Sequence, residues 1–221
     1  MTFTTGKRKA IWKKPTKRAR ITPTISRSLA AVRKGDAKFF DTAAAAYVND
    51  STGSITHLNI VPQGTTVNSR EGKAYMPTSV QIYGSISGNT EALTNHWANY
   101  LVWDFQPNKA LAAVDDILED ASSLSFVKRE NSGRFKIIRH FTGVLSGDTD
   151  TTVGNGNNIT LINEYIRLPK DSVTLCTSAD TTGVIANTIQ GALLWITVGN
   201  RDAGNTAAAT SASFRVNFMD I

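Results

Sequence analysis

Apolar and polar side chains alternate in eight stretches of the chain, each enriched in β-branched or aromatic residues. The stretches are 54–61, 78–86, 97–105, 134–145, 159–168, 172–176, 192–198 and 213–219, separated by clusters of Gly, Pro, Asn, Asp and Ser. A period of two marks a strand with one face in a core, and the clusters mark turns. One stretch has a different period. Within 110–121, Leu111, Val114, Ile117 and Leu118 fall three and four residues apart, which predicts a helix. Residues 146–158 and 199–210 are rich in small and polar residues and read as loops. Eight strands with irregular loops, and no βαβ alternation, predict an all-β antiparallel sandwich or jelly roll.

The first 40 residues follow neither period. Lys7, Arg8, Lys9, Lys13, Lys14, Lys17, Arg18 and Arg20 crowd the start, with Trp12 and Pro15 among them, and Arg27, Arg33 and Lys34 follow. Like charges at this density repel and cannot share a core, so this piece is expected to be disordered when free. Residues 26–40 are less basic and read as a short helix or an extended lead-in. The chain therefore divides into a basic arm, 1–40, and a β body, 41–221. Charge sharpens the division: residues 1–34 carry +11, the remainder carries −5, and the whole is formally +6. With 41% apolar and 19% charged residues, the 221-residue chain has enough material for a buried core.

Catalytic chemistry has no anchor in the sequence. His57, His96 and His140 fall in separate predicted strands, and no nucleophile, P-loop, dinucleotide or zinc-protease motif is present. The single cysteine, Cys176, permits no internal disulfide and reads as a small buried apolar residue. Asp115, Asp116, Glu119 and Asp120 would share neighbouring turns of the predicted helix, but they read as a solvated acidic face because no EF-hand spacing accompanies them. Trp103 and Trp195 read as core or subunit-interface residues. No enzyme activity, metal or cofactor is expected. No apolar run is long enough to span a membrane, and no secretion signal opens the chain.

The arm has a clear physical use. Ammonium and guanidinium groups neutralise phosphates and release condensed counterions. Trp12, beside Lys13 and Lys14, can stack on an unpaired base. The candidate nucleic-acid-binding residues are thus Trp12 and the eleven cations Lys7, Arg8, Lys9, Lys13, Lys14, Lys17, Arg18, Arg20, Arg27, Arg33 and Lys34. The same clusters can act as a nuclear-localisation signal. No groove-reading motif surrounds them, which favours non-specific packaging over sequence recognition. Two other readings share the composition: a non-assembling single-stranded nucleic-acid-binding protein, and a jelly-roll carbohydrate-binding protein.

Several segments line up with a known family. Ile60-Val-Pro-Gln-Gly-Thr-Thr-Val-Asn-Ser-Arg-Glu-Gly-Lys73, followed by Thr78-Ser-Val-Gln-Ile-Tyr-Gly84, resembles the "QGT…R-x-G" segment and next strand of capsid proteins of circular, Rep-encoding single-stranded DNA viruses of circovirus-like type. Leu101-Val-Trp-Asp-Phe-Gln-Pro-Asn108, then Asp115-Asp-Ile-Leu118, is similar to their "VxDxQPNG…DIL" stretch, and Arg134-Phe-Lys-Ile-Ile138 to their following strand. Lys109 stands where that family often has glycine, and Phe105 where it often has a charged residue. The resemblance implies an eight-stranded single jelly roll, with sixty copies in an icosahedral shell around a circular single-stranded DNA genome. It also implies entry into the host nucleus through the import machinery, and a virion surface that meets a host receptor or glycan.

Overall fold

The computed structural model describes residues 37–88, 94–146, 159–177, 182–202 and 207–221. Among the described residues, ten strands make two antiparallel sheets. Sheet A holds β1 (Ala37–Asn49), β10 (Ala208–Asp220), β3 (Ala74–Ser87) and β6 (Ile159–Arg167) in that order. Short β7 (Thr174–Cys176) and β8 (Thr188–Gln190) extend sheet A past the start of β3. Sheet B runs β2 (Ser54–His57), β9 (Ala192–Gly199), β4 (Thr94–Asp104), β5 (Phe135–Ser146). The pairs β1·β10, β2·β9, β3·β6 and β4·β5 are the rungs of one long antiparallel ribbon, and β10·β3 and β9·β4 join it where it rolls up. That winding is a jelly roll.

Seven of the eight predicted strands coincide with β2–β6, β9 and β10. The remaining one, 172–176, is the three-residue β7, and β1 lies where no strand is predicted. β1 contains Ala43-Ala-Ala-Ala46, a run with no alternation and poor strand propensity. It forms because β10 offers it a full ladder, broken only by a bulge between Thr42 and Ala45. The sheet thus takes in Ala37–Phe40, residues that the sequence reading groups with the arm as a short helix or extended lead-in.

Two further expectations need correction. Within 110–121 only α1, Val114–Ile117, is helical, because Leu118 turns extended and bridges Val127. Ile117 and Leu118 are both buried, a consecutive pair that serves a hairpin better than a helix stripe. Asp115 and Asp116 lie on α1, whereas Glu119 and Asp120 lie beyond it. The predicted loop 199–210 also ends early. β10 begins at Ala208, and its small residues are there for close packing. Residues 147–158 and 203–206 lie outside the described residues.

The main core lies between the sheets, built on Val80, Ile82, Leu101, Trp103, Leu193, Trp195, Phe214 and Val216. Trp195 meets Phe214 edge-on at 5.1 Å between centroids. A second core covers the other face of sheet B. There Tyr100, Val102, Leu194, Ile196 and Val198 lie under Ala112, Ile117 and Leu118 of the β4–β5 connection. Central strands β4 and β9 are consequently buried on both faces. A ring of side chains ties the sheets at one end: Asn49 Nδ2 donates to Asn99 Oδ1 (2.6 Å), Asn99 Nδ2 to Thr210 Oγ1 (3.0 Å), and Thr210 Oγ1 to Asn49 Oδ1 (2.6 Å).

Candidate nucleic-acid interface

The basic residues singled out above, together with Trp12, lie outside the described residues. What the structure gives is the place where they join the body: the first residue of β1, Ala37, at an edge of sheet A. This strand start is firmly held. Lys38 is buried and its Nζ reaches Asp220 Oδ2 at 2.7 Å, Glu71 Oε1 at 2.9 Å and the Ser69 carbonyl at 3.2 Å. Burial depresses the Lys38 pKa, but the hydrogen bonds and charges of Asp220 and Glu71 outweigh it and hold the ammonium above the ordinary lysine value. Phe39 N–H donates to the Val67 carbonyl.

Lys38 therefore serves as an anchor, its charge satisfied by the body. Its partners Ser69 and Glu71 come from the 63–71 loop, which wraps around Arg70. That side chain is fully buried; its Nε donates to the Val61 carbonyl and its Nη1 to the Gly72 carbonyl. The loop also closes through Gly64 N–H to the Arg70 carbonyl and Arg70 N–H to the Pro62 carbonyl. Arg70 is thus a structural arginine, and the "R-x-G" segment that carried the resemblance is the floor on which β1 begins.

Beside this anchor the outer face of sheet A is open to solvent. Strand register places Asp41, Arg215, Gln81 and Tyr165 in one row, and Ser213, Tyr83 and Asn163 in the next. Tyr83 and Tyr165, each 57% exposed, are therefore diagonal neighbours on β3 and β6. Arg215 is bidentate to Asp41, at 2.7 Å for both bonds, and its guanidinium lies 4.6 Å over the Phe39 ring. A further row runs Phe39, Asn217, Ser79, Arg167, the last exposed. The exposed rings of Tyr83 and Tyr165 are flat faces of the kind on which bases stack, and Arg167 is an exposed cation on the same face, whereas Arg215 is already paired with Asp41. Sequence reasoning missed these residues, although strand parity contained them: Val80, Ile82 and Ile86 face the core, so Gln81 and Tyr83 must face out.

The other candidates do not converge. His57 is buried on β2, and His140 is exposed on β5, stacked on Tyr100 at 4.2 Å. Burial pushes His57 down to about 4, outweighing its polar contact with Asn59. Among the described residues, no group of three or more His, Cys, Asp or Glu side chains is placed to hold a metal ion. Cys176 is buried with Val61, Tyr75 and Phe218. Trp103 and Trp195 are core residues. Asp104 is buried and bidentate to Arg134, at 3.0 and 2.9 Å. Two motif segments are thus joined by a structural ion pair.

Residues 2–221 match the model of the geminivirus coat protein/nuclear export factor BR1 family. The chain belongs to that family. It is therefore a coat protein of the kind made by circular single-stranded DNA viruses. The matching model is the geminivirus one. Among solved structures, the coat protein is similar to the structure of infectious bursal disease virus Gx strain, with 12% identity and a TM-score of 0.32. That match covers 83% of this chain and 33% of the other, so this chain spans about a third of its length. No curated protein matches.

Proposed function

We propose that this coat protein assembles into a closed icosahedral shell, of sixty copies if it follows the circovirus-like pattern, and packages single-stranded DNA. Residues 1–34 hold the phosphates, and the outer face of sheet A receives bases. The observation that carries the reading is the charge split, +11 before residue 35 and −5 after it, joined at a strand start that is locked to the body. A body of opposite sign does not compete with its own arm for the polyanion. Eleven cations per chain, gathered inside one shell, repel strongly unless DNA neutralises them, so cargo stabilises the particle. Lys7–Lys9 and Lys17–Arg20 double as the signal read by the nuclear import machinery, which makes the host nucleus the site of assembly and the virion the destination. The opposite surface of the particle meets the host receptor or glycan.

Deletion of residues 1–34 tests the division of labour. The truncated chain is expected to fold, to lose most affinity for single-stranded DNA and to yield few filled particles. The slope of log affinity against log salt should flatten by about 0.7 for each phosphate that the shortened chain leaves unneutralised. Equal DNA retention by both chains across a salt titration overturns the arm's role. Replacing Tyr83 and Tyr165 by alanine should instead weaken binding by about 1–3 kcal/mol per stacked base with the salt slope unchanged. The family description also covers a nuclear export factor. Electron microscopy of the full chain with single-stranded DNA separates the two roles, closed shells supporting the coat reading.

A further inference from the structure

Two arginines flank the exposed tyrosines of sheet A, and they stand in opposite electrostatic states. Arg167 lies two residues beyond Tyr165 on the same face of β6, about 7 Å along the strand. It is exposed, and among the described residues it makes no ion pair. Arg215 lies on the other side of the two rings. Register sets it opposite Gln81, so it is a diagonal neighbour of Tyr83, about 7–8 Å away. Its charge is already answered. Asp41 accepts from its Nε and its Nη2, both at 2.7 Å, and the guanidinium lies 4.6 Å over the Phe39 ring. Both partners are exposed, so burial does not force the pairing. The bond to Arg215 holds the Asp41 carboxyl below its ordinary value, and it stays ionised at neutral pH. A strand whose bases stack on the tyrosines brings phosphates toward both arginines, but only Arg167 offers them an unneutralised charge.

We propose that Asp41 masks Arg215 from single-stranded DNA, so that the open face of sheet A holds one phosphate, at Arg167, beside the bases on Tyr83 and Tyr165. The mask limits how tightly the body grips a strand and leaves the remaining phosphates to the arm. Asp41 is thus a residue that sets affinity without touching a nucleotide. Its effect falls on the ligand, because an exposed ion pair of this kind adds little to stability. The proposal rests on the reading of this face as a base-stacking platform.

Binding of the full chain to oligothymidine across a salt titration tests it. On a single strand each phosphate contact contributes about 0.7 to the slope of log affinity against log salt. Asp41→Asn should release Arg215 and steepen the slope by about 0.7, so that a fourfold rise in salt lowers affinity about 2.6-fold more than in the wild type. Arg167→Gln should flatten the slope by the same amount. Asp41→Asn combined with Arg215→Gln should return to the wild-type slope, because the gain belongs to the unmasked guanidinium. All three positions are exposed, and far-UV circular dichroism should be unchanged. A wild-type slope for Asp41→Asn overturns the mask. So does a steepened slope that survives in the double variant, which would report only the loss of a negative charge. A wild-type slope for Arg167→Gln overturns the phosphate site. Alanine at both Tyr83 and Tyr165 separates the two levels of failure. If it leaves affinity unchanged, the platform fails and the mask with it; if it weakens binding while Asp41→Asn leaves the slope alone, the platform stands and the mask falls.

Discussion

The two sheets of this coat protein meet the same core but treat their outer faces in opposite ways. Sheet B is covered: the β4–β5 connection lays Ala112, Ile117 and Leu118 over Tyr100, Leu194 and Ile196, and no residue of β9 is exposed. Sheet A is left open, and along β10 burial alternates almost strictly. The covered sheet is a structural slab. The open sheet begins with the strand to which the basic arm is joined, and it displays Tyr83, Tyr165, Arg167 and Arg215. One layer of the sandwich is covered and the other displayed, and substitutions on the two should differ in their cost to stability.

The largest expected difference is between two aromatic rings. Trp195→Ala empties a site packed by Phe141 and Phe214, and should cost about 3–5 kcal/mol in urea unfolding. Tyr83→Ala, on the open face, should stay within about 0.5 kcal/mol. Equal costs would erase the distinction between the layers.

A pH titration of stability probes the covered sheet next. His57 is buried on β2 opposite Leu194, and its pKa is pushed to about 4 from the ordinary 6.5. Between those values the unfolded chain takes up a proton that the folded chain refuses. Stability contributed at this site is therefore full above about pH 6.5, falls as pH drops toward 4, and is level below. The loss reaches about 3 kcal/mol, and His57→Leu should remove that slope. An unchanged slope in the variant would place the acid sensitivity elsewhere.

A smaller effect runs the other way. The turn after Pro107 puts Asn108 and Lys109 at φ of 51° and 65°, left-handed values that favour glycine. Lys109→Gly, which restores the residue often found in the resembling capsid proteins, should stabilise the fold by about 0.5–1 kcal/mol, read as a higher urea midpoint.

The smallest effect belongs to the open face. The Arg215 hydrogen bond holds the Asp41 carboxyl below its ordinary value, against a small opposing push from burial. Arg215→Ala should let Asp41 titrate nearer the ordinary range by NMR, while the unfolding midpoint stays where it was.

Legibility from sequence follows the same divide. β9 reads as Ala-Leu-Leu-Trp-Ile-Thr-Val because both its faces are buried, and a continuous apolar run of that length is hard to mistake. β1 is an edge strand, exposed through its alanine run, so hydrophobicity has little to mark. Ala208–Thr210 read as loop because small residues there permit close approach; a Cβ on neighbouring Gly84 would stand 2.5 Å from the Ser211 carbonyl oxygen. The spacing of Leu111, Val114, Ile117 and Leu118 is apolar for a reason the period cannot reveal: Val114, Ile117 and Leu118 belong to a cover segment, Leu111 stays exposed, and Leu118 pairs with Val127. The arm is legible through charge alone; strand parity turns Tyr83 outward, but its meeting with Tyr165 across β3 and β6 requires register, which only pairing supplies.

The Asn49–Asn99–Thr210 ring passes its hydrogen bonds in one sense around three strands, two in one sheet and one in the other. No member can leave without stranding a donor in one neighbour and an acceptor in the next, in a place water does not reach. The layers at that end consequently part all at once or not at all, and the sandwich behaves there as a latched plate that passes strain along to its neighbours rather than yielding to it.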